Sequence, residues 1–229
     1  MKTKHLIWIL LIVFAPLQMY PQLFKKKLTT VKVTVDPKTA NIYANGEIAG
    51  QGSADITIPK DDCVKIQVGT QGWLWQTVNY CNKKKATNRP PKSKYFQLTR
   101  DEAFDASVSG SDIANLDIPI KVREGMNEED AWRRMAQIIT GYFDVIEVSD
   151  RETGYMRTAW YIKSFASATI RTRVIVKLAN DDPLTYKIKI MSERANGPGV
   201  SGRADEAYDE WDRILRTFSG LIEEIQTRM

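Results

Sequence analysis

Basic and tyrosine side chains recur with a period of two in three predicted strands, at residues 155–165, 168–178 and 185–191. Side chains two residues apart on a strand lie on the same face, so we expect these to share one face of a sheet. The predicted face contains Tyr155, Arg157, Tyr161, Lys163, Arg171, Arg173, Lys177, Lys187 and Lys189. Guanidinium and ammonium groups bind phosphate, sulfate and carboxylate oxygens, and exposed rings stack on cyclic ligands. The pattern therefore predicts a surface that binds an anionic ligand.

The same face has a second interpretation, in which long basic side chains only keep one side of an open sheet in water. In either case the alternate positions of the first strand are expected to share the opposite face of the sheet. These positions are Met156, Thr158, Trp160 and Ile162.

Acidic residues of the same half of the chain concentrate in two predicted helices, the second of which spans residues 205–227. They are Glu128, Glu129 and Asp130 in the first helix, and Asp205, Glu206, Asp209, Glu210, Asp212, Glu223 and Glu224 in the second. An acidic helical surface suits a basic partner, so a second hypothesis is a scaffold that docks one partner protein.

Trp73 and Trp75 lie at and just after a predicted hairpin turn. If they are exposed, their rings can stack on a sugar or enter a membrane interface. Residues two apart share a face, however, so the pair equally fits the core of a β-sandwich. The sequence leaves both interpretations open.

Cys63 and Cys81 border the same predicted hairpin, which turns at about residues 70–73. Folding the chain there brings the two cysteines nearly opposite each other, so we predict a disulfide. The alternative is a pair of buried free thiols.

Catalysis with histidine is excluded once the first 22 residues are removed, because His5 is the single histidine of the chain. Without it there is no Ser-His-Asp or Cys-His arrangement and no zinc site with histidine ligands. We therefore predict no catalytic residue, no metal and no cofactor. A hydrolase that works with carboxylates alone remains a minor alternative.

The chain begins with the features of an export signal. Lys2 and Lys4 precede an unbroken apolar run at residues 6–17, which is the length of a signal-peptide core and short for a membrane span. We predict a signal peptide over residues 1–22, or an uncleaved anchor. The expected location is periplasmic, outer-membrane-associated or extracellular.

The first half reads as short alternating strands separated by turns, of which Asn45-Gly46 is a strong hairpin signal. The stretch over about residues 31–98 resembles the PEGA domain, a small bacterial β-sandwich, although Thr39 replaces a motif glycine. The matching residues are Pro37, Ala40, Ile42, Tyr43, Asn45, Gly46, Gly50, Gly72 and Trp73. The resemblance implies an all-β, noncatalytic module of envelope proteins over residues 28–105.

The second half is predicted as an α+β domain over residues 117–229, after a linker at residues 106–116. Its order, β-α-β-β-β-β-α, favours an antiparallel sheet with the helices on one face. In element order it resembles the helix-grip or TBP-like domains of exported bacterial envelope proteins.

The composition is that of a globular protein, with a net charge of +5. We expect a noncatalytic exported protein that binds an envelope protein or an anionic glycan or lipid through the basic face. Peripheral membrane contact fits this expectation, and nucleic acid is not an expected partner.

Overall fold

The computed structural model describes residues 28–229, so the leader predicted over residues 1–22 lies outside the described residues. Two seven-stranded sheets and one two-stranded sheet make up most of the structure, and helices are few. The larger sheets have separate hydrophobic cores. The expected β-rich fold is confirmed, whereas the domain boundaries remain a prediction. Across the described range, no helix combines the length and the apolar character that crossing a bilayer requires.

The first half contains seven strands, which pair in the spatial order β6-β5-β2-β3-β4-β1-β7. They are β1 (Thr29–Asp36), β2 (Asn41–Ala44), β3 (Glu47–Gln51), β4 (Ser53–Ile58), β5 (Cys63–Gly69), β6 (Gln76–Cys81) and β7 (Ser93–Gln97). Alternating residues of β1, β2 and β5, including Val33, Ile42 and Ile66, are fully buried in one shared core. The two ends of the sheet therefore face each other in a sandwich-like arrangement.

The Asn45-Gly46 turn joins β2 to β3 as the sequence predicts. Both residues have positive φ, 52° and 89° respectively, which is the backbone conformation that asparagine and glycine tolerate best. The Asn45 side chain also accepts a hydrogen bond from the Lys65 amide at 2.9 Å, so the turn is fastened to β5.

Cys63 and Cys81 form a disulfide, which confirms the predicted pairing. They lie directly opposite each other on β5 and β6, with their Cα atoms 4.0 Å apart. Because disulfides persist in oxidising compartments, this bond suggests a location outside the cytoplasm.

Loss of the disulfide is expected to lower the free energy of unfolding of the first half by about 3 kcal/mol. The bond joins residues 18 positions apart, and breaking it restores the conformational entropy of that loop in the unfolded chain. Urea unfolding of a Cys63→Ser/Cys81→Ser variant measures the loss. Reductant should reproduce it in the native chain and change nothing in the variant. If the urea unfolding curve of the native chain is the same with and without reductant, the expectation is contradicted.

The second half contains three helices and nine strands within the described range. They are α1 (Glu102–Asp105), β8 (Ser107–Ser109), β9 (Ile118–Lys121), α2 (Glu128–Thr140), β10 (Ile146–Asp150), β11 (Tyr155–Thr158), β12 (Tyr161–Ser164), β13 (Ala168–Asp181), β14 (Leu184–Asn196), β15 (Tyr208–Glu210), β16 (Arg213–Leu215) and α3 (Leu221–Arg228). The main sheet has the order β10-β11-β13-β14-β15, with β12 also on β13 and β9 also on β14.

Helix α2 begins where the sequence predicts. The Asn127 side chain caps it by accepting from the Asp130 amide at 2.8 Å. Its buried face, which includes Trp132, Met135 and Ile139, packs in the same core as α3 and the inner face of the main sheet. The helices therefore cover one side of this sheet and leave the other side to solvent or to loops.

The long helix predicted over residues 205–227 is wrong. This segment forms a short 3-10 turn, then β15 and β16, a second 3-10 turn at Arg216–Phe218, and only then α3. Strand pairing explains the difference, because β15 pairs with the end of β14 and β16 pairs with β8. The apolar residues of the predicted helix are nevertheless all buried: Trp211, Ile214, Leu215, Phe218, Leu221, Ile222 and Ile225.

Residues 106–116, predicted as a linker, are part of the second core. Strand β8 lies here, and Ala114 is buried. The Asn115 side chain accepts from the Ser192 amide at 2.9 Å and donates to the Ser192 and Trp211 carbonyls. Ser192 on β14 and Trp211 between β15 and β16, which bind this segment through Asn115, also hydrogen-bond to each other.

Candidate functional site

The register of the main sheet places most of the predicted basic residues on its helix-free side, here called the outer face. Tyr155 lies opposite Lys177, and Lys177 lies opposite Lys187 on the next strand. Two residues further along β13, Ile175 lies opposite Arg157 on one side and Lys189 on the other. The residues between them, such as Val174, Val176 and Ile188, are buried against the helices.

Tyr161 and Lys163 do not share this face, because the predicted single strand at residues 155–165 is interrupted. From Arg157 to Tyr161 the chain advances four residues, whereas β13 advances three, from Ile175 to Thr172. One extra residue is a bulge, and it moves every later side chain to the opposite face.

The bulge exchanges two pairs of residues between the faces. Tyr161 packs edge-on against the buried Phe218 ring, with the ring centroids 5.1 Å apart. Ile162 instead lies directly opposite Arg171, and Trp160 stacks on outer-face guanidinium groups. The expectation that Trp160 and Ile162 share a face with Met156 and Thr158 is therefore wrong. The sequence has no glycine or proline at the bulge, so its position could not be predicted. Without the bulge, the alternating pattern places Trp160 on the wrong face.

Arg171 lies on the outer face but is not available to a ligand. Its side chain forms ion pairs with Glu193 at 2.5 Å and Asp205 at 2.6 Å, and it donates to the Gly202 carbonyl at 2.8 Å. The guanidinium also packs over the Tyr208 ring, 4.1 Å from its centroid. Loop residues 197–207 therefore cover this end of the face, and Arg171 stabilises their position.

The remaining part of the outer face is here called the open basic face. It contains Tyr155, Arg157, Trp160, Arg173, Lys177, Lys187 and Lys189. Arg157 pairs with Glu147 at 3.0 Å, and Lys189 pairs with Asp117 at 3.4 Å. The Arg173 guanidinium lies over the Trp160 ring at 4.0 Å.

Three cations of the open basic face have no acidic partner within 4 Å in residues 28–229: Arg173, Lys177 and Lys187. Burial, and then the charges of Arg157 and Arg171, lower the pKa of the Arg173 guanidinium below its ordinary value. Lys177 and Lys187 are exposed and stand directly opposite each other, an arrangement of like charges that destabilises a strand pair. An anion bound between them would remove this repulsion.

The acidic residues do not form the two helical surfaces that the sequence predicts. Glu129 and Asp130 remain on the first turn of α2, where both pair with Arg133. Asp205 lies in a 3-10 turn and pairs with Arg171, and Glu224 pairs with Arg228 on α3. Of the acidic residues assigned to the second helix, only Glu223 and Glu224 lie in a helix, in the first turn of α3.

Trp73 and Trp75 differ in exposure. Trp73 is half-buried against the first core, and the Arg100 guanidinium lies 5.1 Å from its ring centroid. Trp75 is 55% exposed and lies 5.7 Å from the Tyr43 ring. The core interpretation thus describes Trp73, and the surface interpretation describes Trp75.

No group of three or more histidine, cysteine, aspartate or glutamate side chains with metal-site geometry occurs between residues 28 and 229. Comparison with known proteins finds neither a family model nor a curated protein that matches this chain. The similarities to PEGA and TBP-like domains remain predictions from the sequence.

Proposed function

We propose that this protein is a noncatalytic, exported binding module whose open basic face holds an anionic glycan. One observation carries the proposal. Lys177 and Lys187 lie directly opposite each other without a counter-ion in the described structure. Arg173, which also lacks one, lies four residues from Lys177 on the same strand. Such an arrangement costs stability in the free protein, and a bound polyanion offsets that cost.

The geometry of the face suits a chain of repeated negative charges better than one small anion. Its unpaired cations lie on two adjacent strands and extend along β13 from Arg173 to Lys177. Trp160 packs against Arg173 and limits its side-chain freedom, which reduces the entropy lost when a ligand is bound. Carboxylate, sulfate or phosphate groups spaced along a glycan would each meet a cation.

Binding rather than catalysis is proposed because the carboxylates at the margin are engaged. Glu147 and Asp117 pair with Arg157 and Lys189, so neither is placed as a free general base. The disulfide supports a location outside the cytoplasm, and the PEGA-like pattern of the first half supports a role in a bacterial envelope.

Replacing both opposed lysines tests the proposal. We expect Lys177→Gln/Lys187→Gln to weaken binding to dextran sulfate and polygalacturonate about tenfold, because each exposed cation contributes up to about 1 kcal/mol. The slope of log affinity against log salt concentration should also become shallower. Isothermal titration calorimetry at several salt concentrations measures both quantities.

Lys83→Gln/Lys84→Gln is the matched control, since it removes the same charge from two exposed lysines of the first half. Equal weakening in this control would show that binding follows net charge and would overturn the site. If the protein binds vesicles that contain phosphatidylglycerol but neither glycan, the ligand of this face is a membrane surface and the glycan proposal is wrong.

A further inference from the structure

Trp75 is exposed on the side of the first sheet that faces away from its hydrophobic core, and its ring is packed against the backbone. The Trp75 ring lies against Gly69, where an added Cβ atom would be 2.2 Å from ring atom Cδ2. Because glycine has no side chain, one side of the indole can pack directly against the backbone of β5. Tyr43 lies beside it, with the ring centroids 5.7 Å apart and the ring planes inclined by 37°. The other side of the indole accounts for the 55% exposure of this residue.

Most side chains around this ring are uncharged and polar; the exceptions are Lys65 and the exposed Ile48, which lies opposite Tyr43 on β3. Tyr43 lies opposite Gln67, which lies opposite Thr77, and Lys65 lies opposite Asn79 in the next row. By strand alternation all of these share the face that carries Trp75. Amide and hydroxyl groups of this kind both donate and accept hydrogen bonds.

A groove of about 620 Å³ extends from Trp75 toward the second half of the protein. Its far wall is formed by Ser167, Arg194 and Asn196. The charge of Arg194 is balanced by Asp101 at 2.8 Å, so the groove has little net charge. Its polar groups suit a ligand with hydroxyl groups rather than an ion.

We infer that this surface is a second binding site, which takes a neutral oligosaccharide with one sugar ring stacked on Trp75. The C–H bonds on one face of a pyranose make an apolar surface that packs against indole, while its hydroxyl groups reach the surrounding amides. The fixed ring requires no ordering when the ligand binds. A polyanion is disfavoured because Lys65 is the lone cation among these positions, and membrane insertion would strip water from Gln67, Thr77 and Asn79.

Calorimetric titration with cellohexaose, chitohexaose and maltohexaose tests the site. At least one of them should bind, with an affinity that changes little with salt, unlike binding at the open basic face. Trp75→Ala should weaken binding about tenfold or more, as truncation of a central aromatic contact usually does. Tyr95→Ala is the matched control, because Tyr95 is also 55% exposed but lies on β7. Absence of binding to all three sugars, or equal losses in both variants, would overturn the inference.

Gly69→Ala tests separately whether the packing of the Trp75 ring against the β5 backbone is required for binding. The added methyl group has to displace the indole, so this variant should lose most of the affinity that Trp75→Ala loses. In the Trp75→Ala background the same change should have no further effect on binding, and this comparison holds even if Gly69→Ala lowers the melting temperature. Full affinity in Gly69→Ala would show that the fixed ring position is not what the ligand requires.

Discussion

Arg171→Met is expected to lower the free energy of unfolding of the second half by about 3–5 kcal/mol. Arg171 is 3% exposed, and its guanidinium is the common partner of Glu193 and Asp205. Methionine keeps much of the packing volume but leaves the largely buried Glu193 carboxylate without its cation. The cost comes chiefly from that unpaired charge, since breaking a buried pair is far more unfavourable than never having formed it.

Two further variants separate this explanation from a simple loss of packing. Arg173→Met removes a guanidinium from the same tryptophan ring but breaks no ion pair, so its effect should be much smaller. Arg171→Met/Glu193→Gln should recover part of the stability, because no buried charge is left unpaired. Urea unfolding of all three variants provides the comparison. A loss in Arg171→Met no larger than in Arg173→Met would contradict a structural role for this residue.

Phe218→Ala is expected to cost about 3–5 kcal/mol, the range for truncating a buried phenylalanine. The Phe218 ring is 0% exposed and stacks on Phe143, with the ring centroids 4.5 Å apart. It also receives the edge of Tyr161. Its removal leaves a cavity where the residues after β16 meet the loop that follows α2.

Tyr161→Ala supplies the control for this second prediction, because Tyr161 touches the same ring but is 38% exposed. Its loss should be clearly smaller than that of Phe218→Ala in the same urea experiment. A loss below about 1 kcal/mol in Phe218→Ala would mean that the surrounding chain closes the cavity, and would contradict the packing described here.

Local signals in the sequence were sufficient for several elements. The Asn45-Gly46 turn and the cap at Asn127 depend on residues close in the chain, and both predictions are confirmed. In β13 the predicted alternation of burial holds over residues 172–177, whereas residues 168–172 are all buried. The disulfide could be predicted for the same reason, since a hairpin turn sets which residues stand opposite each other.

The failures arose where distant residues decide the structure. The apolar residues between Trp211 and Ile225 follow a helical spacing, yet residues 213–215 of this segment pair with β8 as a strand. Burial of these residues could be predicted, but not the backbone that buries them. At the bulge before Tyr161, one extra residue exchanged the two faces, so the sequence assigned Tyr161 and Lys163 to the basic face in place of Trp160.

The pairing of β8 with β16 also has a consequence for the order in which the molecule assembles. Ser107–Ser109 lies next to the first sheet in the chain, but its partner, Arg213–Leu215, is synthesised about a hundred residues later. Strand β1 pairs with the nearby β4 on one edge, but its other edge pairs only with the later β7, where Val33 lies opposite Lys94. Pairings of such long range form late and slowly, because the intervening chain has to be closed first. The first sheet has all its strands once residue 97 has emerged, whereas β8 stays unpaired for about a hundred residues of synthesis. Chaperone binding to the emerging chain should therefore be strongest before residues 213–215 emerge.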